Sequence, residues 1–191
     1  MDDPCRPDRD LVEAVLARRP RAFEKLVRQY QGLCWHVVQR MVRDPDEAED
    51  LCQVTFMRVH RHLHQFRFDS PLKSWIARVA YTVALRHLER KRIPLVHAAD
   101  DEAHASLLES VSDDIDVETE HRETDAARRL HVAIERLAPL PRTILTLYHL
   151  EELPIPEIAR ITGIPDGTIK SHLFRSRQQL RKLLEGEPAH E

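Results

Sequence analysis

The sequence has few glycines, few cysteines and no long hydrophobic run. Only four of its 191 residues are glycine, too few for the glycine-rich phosphate loops of nucleotide-binding enzymes. The three cysteines form no C-x-x-C pair and leave an odd thiol, which is typical of a reducing cytosol rather than of a disulfide framework. The N-terminus also lacks an apolar signal-peptide stretch. We therefore expect a soluble cytoplasmic protein with no membrane insertion and no nucleotide-dependent catalysis.

Charge is distributed unevenly along the chain. The formal net charge is only −3, but the segment 94–124 holds ten acidic residues against one strong base, Arg122. Large apolar residues and helical periodicity are both scarce there, so the segment is predicted to be a flexible acidic linker. Residues 154–184 have the opposite balance, with six bases against Glu157 and Asp166. That local positive charge would attract phosphate groups.

The basic segment has the pattern of a helix-turn-helix. Ile155, Ile158 and Ala159 are spaced for one face of a short helix, Gly163 suits a turn with positive φ, and Pro165 precedes a second helix. The second helix keeps apolar residues on one side, which suits insertion of its other side into a DNA major groove. The alternative is an amphipathic helical pair with a solvated basic face. The candidate DNA-binding residues are Thr168, Lys170, Ser171, His172, Phe174, Arg175 and Arg177.

Helical periodicity also dominates the N-terminal half. Apolar residues follow three-four spacing between 23 and 41, and a second stripe follows the cap signal Asp44-Pro45. A third helix is predicted to begin at Asp69-Ser70-Pro71. Further helices are expected around 126–137 and 141–150. The prediction is an all-α protein of two small helical domains, 1–93 and 125–191, joined by the acidic linker 94–124, with the helix-turn-helix ending the second domain.

Aromatic and basic residues alternate at the start of the third helix. Aromatic rings can stack on splayed bases while Lys and Arg follow the backbone, so the pattern suits single-stranded DNA. The structural alternative is that Trp75 and Phe66 simply belong to the core. The candidate residues are Phe66, Phe68, Lys73, Trp75, Arg78, Tyr81 and Thr82.

An enzyme is disfavoured by the residues that are present. His60 and His64 share a helix face, but they lack further ligands nearby and no H-E-x-x-H motif occurs. A metal-dependent hydrolase would need clustered ligands. We expect no metal, no cofactor and no catalytic residue.

Three ordered runs of residues stand out together: Asp44-Pro-Asp-Glu-Ala-Glu-Asp-Leu-Cys-Gln-Val-Thr-Phe56, the stretch from Phe66 to Ala80, and the stretch from Gly163 to Arg177. In this order they resemble the extracytoplasmic function (ECF) sigma factors, which are small two-domain members of the bacterial sigma-70 family. The resemblance covers nearly the whole chain apart from the acidic linker and the two ends.

The resemblance implies a role for each part. The second domain would bind the −35 promoter element as duplex, and the region from Phe66 to Tyr81 would melt and hold the −10 element. The acidic helix would dock on the coiled-coil clamp of the largest subunit of core RNA polymerase, and the linker would thread through the active-site and RNA-exit channel. Other implied partners are an anti-sigma factor or another regulator. The implied polymerase-binding residues are Asp46, Glu47, Glu49, Asp50, Gln53 and Val54.

The chain departs from the family pattern at four positions. Val54 stands where Glu is usual, Thr82 where Asn is frequent, His172 where Arg is common and Arg86 where Asp is common. The alternative functions are a one-component helix-turn-helix regulator with a helical sensor domain and a helical adaptor protein. A sensor would bind operator DNA without polymerase, and an adaptor would leave the basic second helix unexplained.

Overall fold

The computed structural model describes residues 6–91, 93, 95 and 125–185 of the chain. Every regular element in those ranges is helical, which confirms the all-α prediction. Most of the predicted linker 94–124 and both chain ends lie outside the described residues. The eight α-helices of the described ranges are α1 (Arg6–Leu16), α2 (Ala22–Met41), α3 (Pro45–His62), α4 (Leu72–Lys91), α5 (Asp125–Glu135), α6 (Pro139–His149), α7 (Ile155–Thr162) and α8 (Asp166–Glu185).

Helices α2, α3 and α4 pack against one another and form the first helical unit. Their apolar stripes meet in a core that includes the fully buried Leu26, Val59 and Ile76. The Asp44 side chain accepts a hydrogen bond from the Glu47 amide at 3.0 Å, so α3 begins with the predicted cap. A short 3-10 helix, Leu63–Gln65, ends α3 and leads into the segment before α4.

Helix α1 was not predicted. Its apolar residues Leu11, Val12 and Val15 are buried and belong to the same core as α2. The helix contacts α2 and the 3-10 helix. The spacing of these three residues is that of one helix face, so the sequence does contain a signal for α1. That signal extends over only about one turn.

The second unit contains the predicted helix-turn-helix. Gly163 ends α7 with φ 75°, a left-handed conformation that glycine adopts without strain, and its amide donates to the Ala159 carbonyl oxygen at 2.8 Å. Buried Ile158 of α7 and Ile169 of α8 hold the pair together. Helices α5 and α6 pack behind α8.

The two units contact each other, with α6 against α2 and α7 against α4. Arg142 of α6 is fully buried at this contact, and its Nε donates to the Arg40 carbonyl oxygen at 2.7 Å. Glu135 forms ion pairs with both Arg40 and Arg142. Burial lowers the pKa of Arg142 to about 10, with Glu135 opposing that shift, so the guanidinium stays charged at neutral pH. Because a buried charge is costly without a partner, Glu135 is essential to this contact.

None of the helices that the structure describes combines the length and apolar character needed to span a lipid bilayer.

Candidate nucleic-acid and polymerase interfaces

The outer face of α8 is polar, basic and open to solvent. Ile169, Leu173 and Ser176 turn inward and are buried. The side chain of Phe174 is 63% exposed, an unusual position for a large aromatic residue. His172 is half-buried. The other predicted residues on this helix are all exposed, namely Thr168, Lys170, Ser171, Arg175 and Arg177.

Positive charge on this face comes from the Lys and Arg side chains rather than from histidine. Burial and the nearby Arg175 both lower the pKa of His172 below its usual value, so this imidazole is neutral at neutral pH. Arg177 lies 3.2 Å from the Nε2 atom of His149, and its guanidinium carbon lies 5.7 Å from the centroid of the Tyr148 ring. These contacts hold Arg177 close to α6, while Lys170 and Arg175 are exposed to solvent.

Three of the predicted aromatic residues, Phe66, Phe68 and Trp75, form a cluster before and within the first turn of α4. The ring centroids of Phe66 and Phe68 are 4.7 Å apart, and those of Phe66 and Trp75 are 5.5 Å apart. Phe68 and Trp75 are half-buried, whereas Phe66 and Tyr81 are buried in the core. Part of Phe68 and of Trp75 is therefore exposed to solvent, and the buried Phe66 contacts both rings.

The polar residues of this region have different surroundings. Arg78 is exposed, and Thr82 donates a hydrogen bond to the Arg78 carbonyl oxygen at 2.8 Å. Lys73 is bound to the second unit, because its Nζ donates to the backbone oxygen of Glu151 and lies 2.8 Å from the carboxylate oxygen Oε2.

Glu151 joins the two units through a small polar network. Its Oε1 lies 2.7 Å from Nδ1 of His36, while Oε2 pairs with Lys73. Burial alone would raise the pKa of Glu151, but the hydrogen bonds from Lys73 and His36 lower it below its usual value. The carboxylate is thus charged at neutral pH and pairs with the ammonium group of Lys73.

The acidic face of α3 divides into free and paired residues. Glu47 pairs with Lys91 and with His87, whose Nε2 lies 3.1 Å from Oε2. The hydrogen bond from Lys91 is the main reason why the pKa of Glu47 is lowered, against a smaller opposing effect of burial. Val54 is half-buried and packs on the core rather than standing free. The predicted polymerase-binding residues that are exposed on this helix are Asp46, Glu49, Asp50 and Gln53.

Met57 was not singled out from the sequence, yet its side chain is 66% exposed. It lies four residues after Gln53 and therefore continues the same helix face. An exposed methionine is a flexible apolar side chain, and here it adds an apolar surface beside the acidic residues. Spacing could have revealed it, but an apolar residue in a helix is usually assigned to the core.

The described residues contain no group of three or more His, Cys, Asp or Glu side chains placed to hold a metal ion. His60 packs edge-on against Phe23 with a centroid distance of 4.8 Å, and His62 and His64 stack on each other.

Comparison with known proteins agrees with this division into two units. The family described as Sigma-70 region 2 matches residues 26–93, and Sigma-70 region 4 matches residues 127–180. The RNA polymerase sigma-H factor of Pseudomonas aeruginosa is 34% identical over 185 residues, covering 93% of this chain and 94% of the relative. The ECF RNA polymerase sigma-E factor of Salmonella typhimurium is 32% identical over 181 residues, covering 91% and 92%.

The chain belongs to the ECF sigma factors of the sigma-70 family. It functions with RNA polymerase in promoter recognition and transcription initiation. The resemblance stated from the sequence is confirmed.

The fold is shared with solved sigma factors. A sigma factor from Bartonella quintana, solved with the anti-sigma factor NepR, has a TM-score of 0.66 at 20% identity, covering 88% of this chain and 99% of that chain. The two-domain helical fold predicted from the sequence is therefore confirmed.

Several contacts of this sigma factor could not be found from sequence pattern. Glu151 meets Lys73 across 78 residues, and Asp8 meets the amide of Leu72 across 64 residues. Neither pair leaves a local motif, because Lys73 of α4 meets a residue of the segment between α6 and α7, and Asp8 of α1 meets the first residue of α4.

Proposed function

We propose that this sigma factor reads the −35 element as duplex with α8, holds the melted −10 strand with the segment from Phe66 to Thr82, and docks on the polymerase clamp with α3. The functional divisions are 1–93 for clamp and −10 binding, 94–124 for the linker and 125–191 for −35 binding. The exposed basic face of α8 carries the proposal, since its contact residues face solvent while Ile169 and Leu173 anchor the helix.

The −35 contacts divide by chemistry. Lys170 is suited to a phosphate, because an ammonium acts as a point charge without base specificity. Arg175 is suited to a guanine edge, since its planar guanidinium can donate two parallel hydrogen bonds. Phe174 offers an apolar contact of the kind that thymine methyl groups accept. His172, being neutral, contributes polarity rather than charge.

The −10 strand would use Phe68 and Trp75 as stacking surfaces, with Phe66 and Tyr81 as buried supports. Arg78 is free to follow the DNA backbone. Lys73 reaches the strand only after it exchanges Glu151 for a phosphate. The two helical units therefore separate when the factor binds polymerase and promoter.

The clamp contact would depend on the exposed acids of α3. A charge-reversing Asp50→Lys substitution should abolish most binding to core polymerase, because it places a repelling charge on an electrostatically complementary surface. The matched control is Glu13→Lys, a reversal at an exposed acid on α1. Equal loss in both variants, or none in Asp50→Lys, would remove α3 as the clamp contact.

Val54 gives a second test of the same surface. Because its side chain packs partly on the core, Val54→Glu would either bury a charge or turn it toward the clamp. Weakened core-polymerase binding together with a lowered melting temperature indicates a packing residue. Retained binding at unchanged stability indicates that the family-typical Glu fits this face.

The decisive experiment is reconstituted transcription with the full chain and core polymerase on promoters selected from a random DNA library. We expect polymerase-dependent promoter opening and transcription. Tight, specific DNA binding by the chain alone, without any effect on polymerase, would contradict the proposal and favour a one-component regulator.

The factor itself would act in the cytoplasm and perform no covalent chemistry, using neither cofactor nor metal. An anti-sigma factor is a further candidate partner, by analogy with the Bartonella quintana complex. Co-purification from the source bacterium tests for it.

A further inference from the structure

We propose that Asp8 and Arg9 of α1 are positioning residues for the loop that captures the −10 strand. The inference rests on the proposed function of Phe68 and its neighbours. Both residues precede position 26, where the match to sigma-70 region 2 begins. They reach the loop between the 3-10 helix and α4 from outside that region.

Asp8 of α1 fixes the end of the loop by capping the first residue of α4, which lies 64 positions later in the sequence. Its Oδ2 accepts a hydrogen bond from the Leu72 amide at 3.0 Å, and its Oδ1 accepts one from the Tyr30 hydroxyl at 2.9 Å. The first amides of a helix lack intrahelical acceptors and attract negative charge. Burial and the bond to Asp8 raise the pKa of Tyr30, so the phenol stays protonated and keeps donating. Both carboxylate oxygens of Asp8 therefore accept hydrogen bonds within the protein.

Arg9 acts on the other side of the loop. Its guanidinium carbon lies 4.7 Å from the centroid of the Phe68 ring. Phe68 has φ 61°, in the left-handed region that a bulky side chain rarely adopts. Such a conformation persists only where surrounding contacts determine it. Here those contacts are Arg9 above the ring and Phe66 beside it.

The combined effect is to present Phe68 in one conformation before DNA arrives. A loop that is already ordered loses less conformational entropy on binding than a loose one. Loss of either contact should therefore weaken strand capture while leaving the duplex-reading face of α8, which belongs to the other unit, unchanged.

The test measures binding of holoenzyme to a fluorescein-labelled single-stranded DNA of about 12 nucleotides, selected on the wild-type holoenzyme. Asp8→Ala should reduce affinity about tenfold, as expected for one lost charged hydrogen bond. Arg9→Gln should reduce it by a smaller factor. The matched control is Asp10→Ala, an exposed acid on the same helix, which should bind like wild type.

A double-mutant cycle with Phe68→Ala separates positioning from general loss of structure. If Asp8 and Arg9 act through Phe68, their effects should largely disappear once that ring is removed. Effects that add fully to Phe68→Ala would overturn the inference. So would an Asp8→Ala variant that loses affinity for −35 duplex by the same factor as for the strand, or an Arg9→Gln variant that binds the strand more tightly.

Arg9→Gln keeps the test valid even if Asp8→Ala unfolds, because Arg9 is exposed. Failure of the proposed function has a different signature. In that case the selection on wild-type holoenzyme yields no strand that binds specifically, or Phe68→Ala has no effect. Wild-type binding that depends on Phe68 but is unchanged in Asp8→Ala and Arg9→Gln would overturn only the role of α1.

Discussion

The two regions that we propose to contact DNA are built in different ways. On α8 the proposed contact residues lie along one face of a continuous helix, and buried Ile169 and Leu173 fix which face that is. In the −10 region, Phe68 lies in a loop with a left-handed backbone, and Lys73 is held by Glu151 of the other unit. The first surface is determined within one helix-turn-helix, whereas the second depends on residues far away in the chain.

This difference matches the two tasks. Duplex DNA has a regular groove that a preformed helix can enter. A melted strand offers separate bases, so each stacking ring must be positioned individually. Lys73 shows how far this surface depends on distant parts of the chain, because its ammonium group is paired with Glu151 of the other unit.

The strongest test of the contrast is Phe68→Ala. Loss of one stacking surface should weaken capture of single-stranded −10 DNA by about 1–3 kcal/mol, with −35 duplex affinity unchanged because α8 is untouched. Fluorescence anisotropy with the holoenzyme measures the first quantity, and permanganate reactivity of promoter thymines reports strand opening. A variant that opens promoters normally would remove Phe68 from the strand site.

The same contrast explains what could be predicted from the sequence. Periodicity identified the face of α8, and local chemistry identified the Asp44 cap and the positive φ of Gly163. Spacing alone could not separate Phe68, which is half-buried, from Phe66, which is buried, because both lie outside a regular helix. Residues that act across the fold were missed, since their partners follow more than 60 positions away: Asp8 with Leu72, and Arg40 with Arg142.

Gly163→Ala tests whether the duplex-reading unit is locally determined. An added Cβ would meet no atom within 4 Å, so the only penalty is the left-handed backbone at φ 75°. The variant should lose about 1–2 kcal/mol of unfolding free energy. Gly167→Ala is the matched control, since that glycine lies inside α8 with equally open surroundings, and alanine there should stabilise the helix by up to about 1 kcal/mol.

Denaturant unfolding of both variants measures whether the free energy of unfolding falls in Gly163→Ala and rises in Gly167→Ala. Strand capture should be unaffected in either variant, because the −10 surface lies in the other unit. Equal stability changes at the two glycines would show that the turn does not require its left-handed conformation.

Glu151→Gln tests the contact between the two regions. The neutral amide cannot form the ion pair with Lys73, so the free sigma factor should bind single-stranded DNA about threefold more tightly. The corresponding free energy is smaller than the net contribution of one typical hydrogen bond. The holoenzyme should show no change, because we propose that the two units separate on binding polymerase. Glu152→Gln is the control, since that neighbouring acid is exposed.

Anisotropy titrations of the free chain and of the holoenzyme, each with both variants, decide the matter. Small-angle scattering of the free chain should also show a larger radius of gyration for Glu151→Gln. Unchanged strand affinity together with unchanged dimensions would show that the contact does not restrict Lys73.

A difference in kind rather than in size distinguishes phosphate contact from base reading on α8. Lys170 and Arg175 are both exposed bases five residues apart on this helix, but we assign the first to a phosphate and the second to a base edge. Lys170→Ala should weaken binding to all −35 sequences alike and reduce the slope of log affinity against log salt by about 0.9. Arg175→Ala should instead relax preference at one base pair, by about 1–3 kcal/mol of discrimination. Affinities of both variants for a set of single-base −35 duplexes at several salt concentrations separate the two roles, and an unchanged salt slope in Lys170→Ala would exclude it from the phosphate contacts.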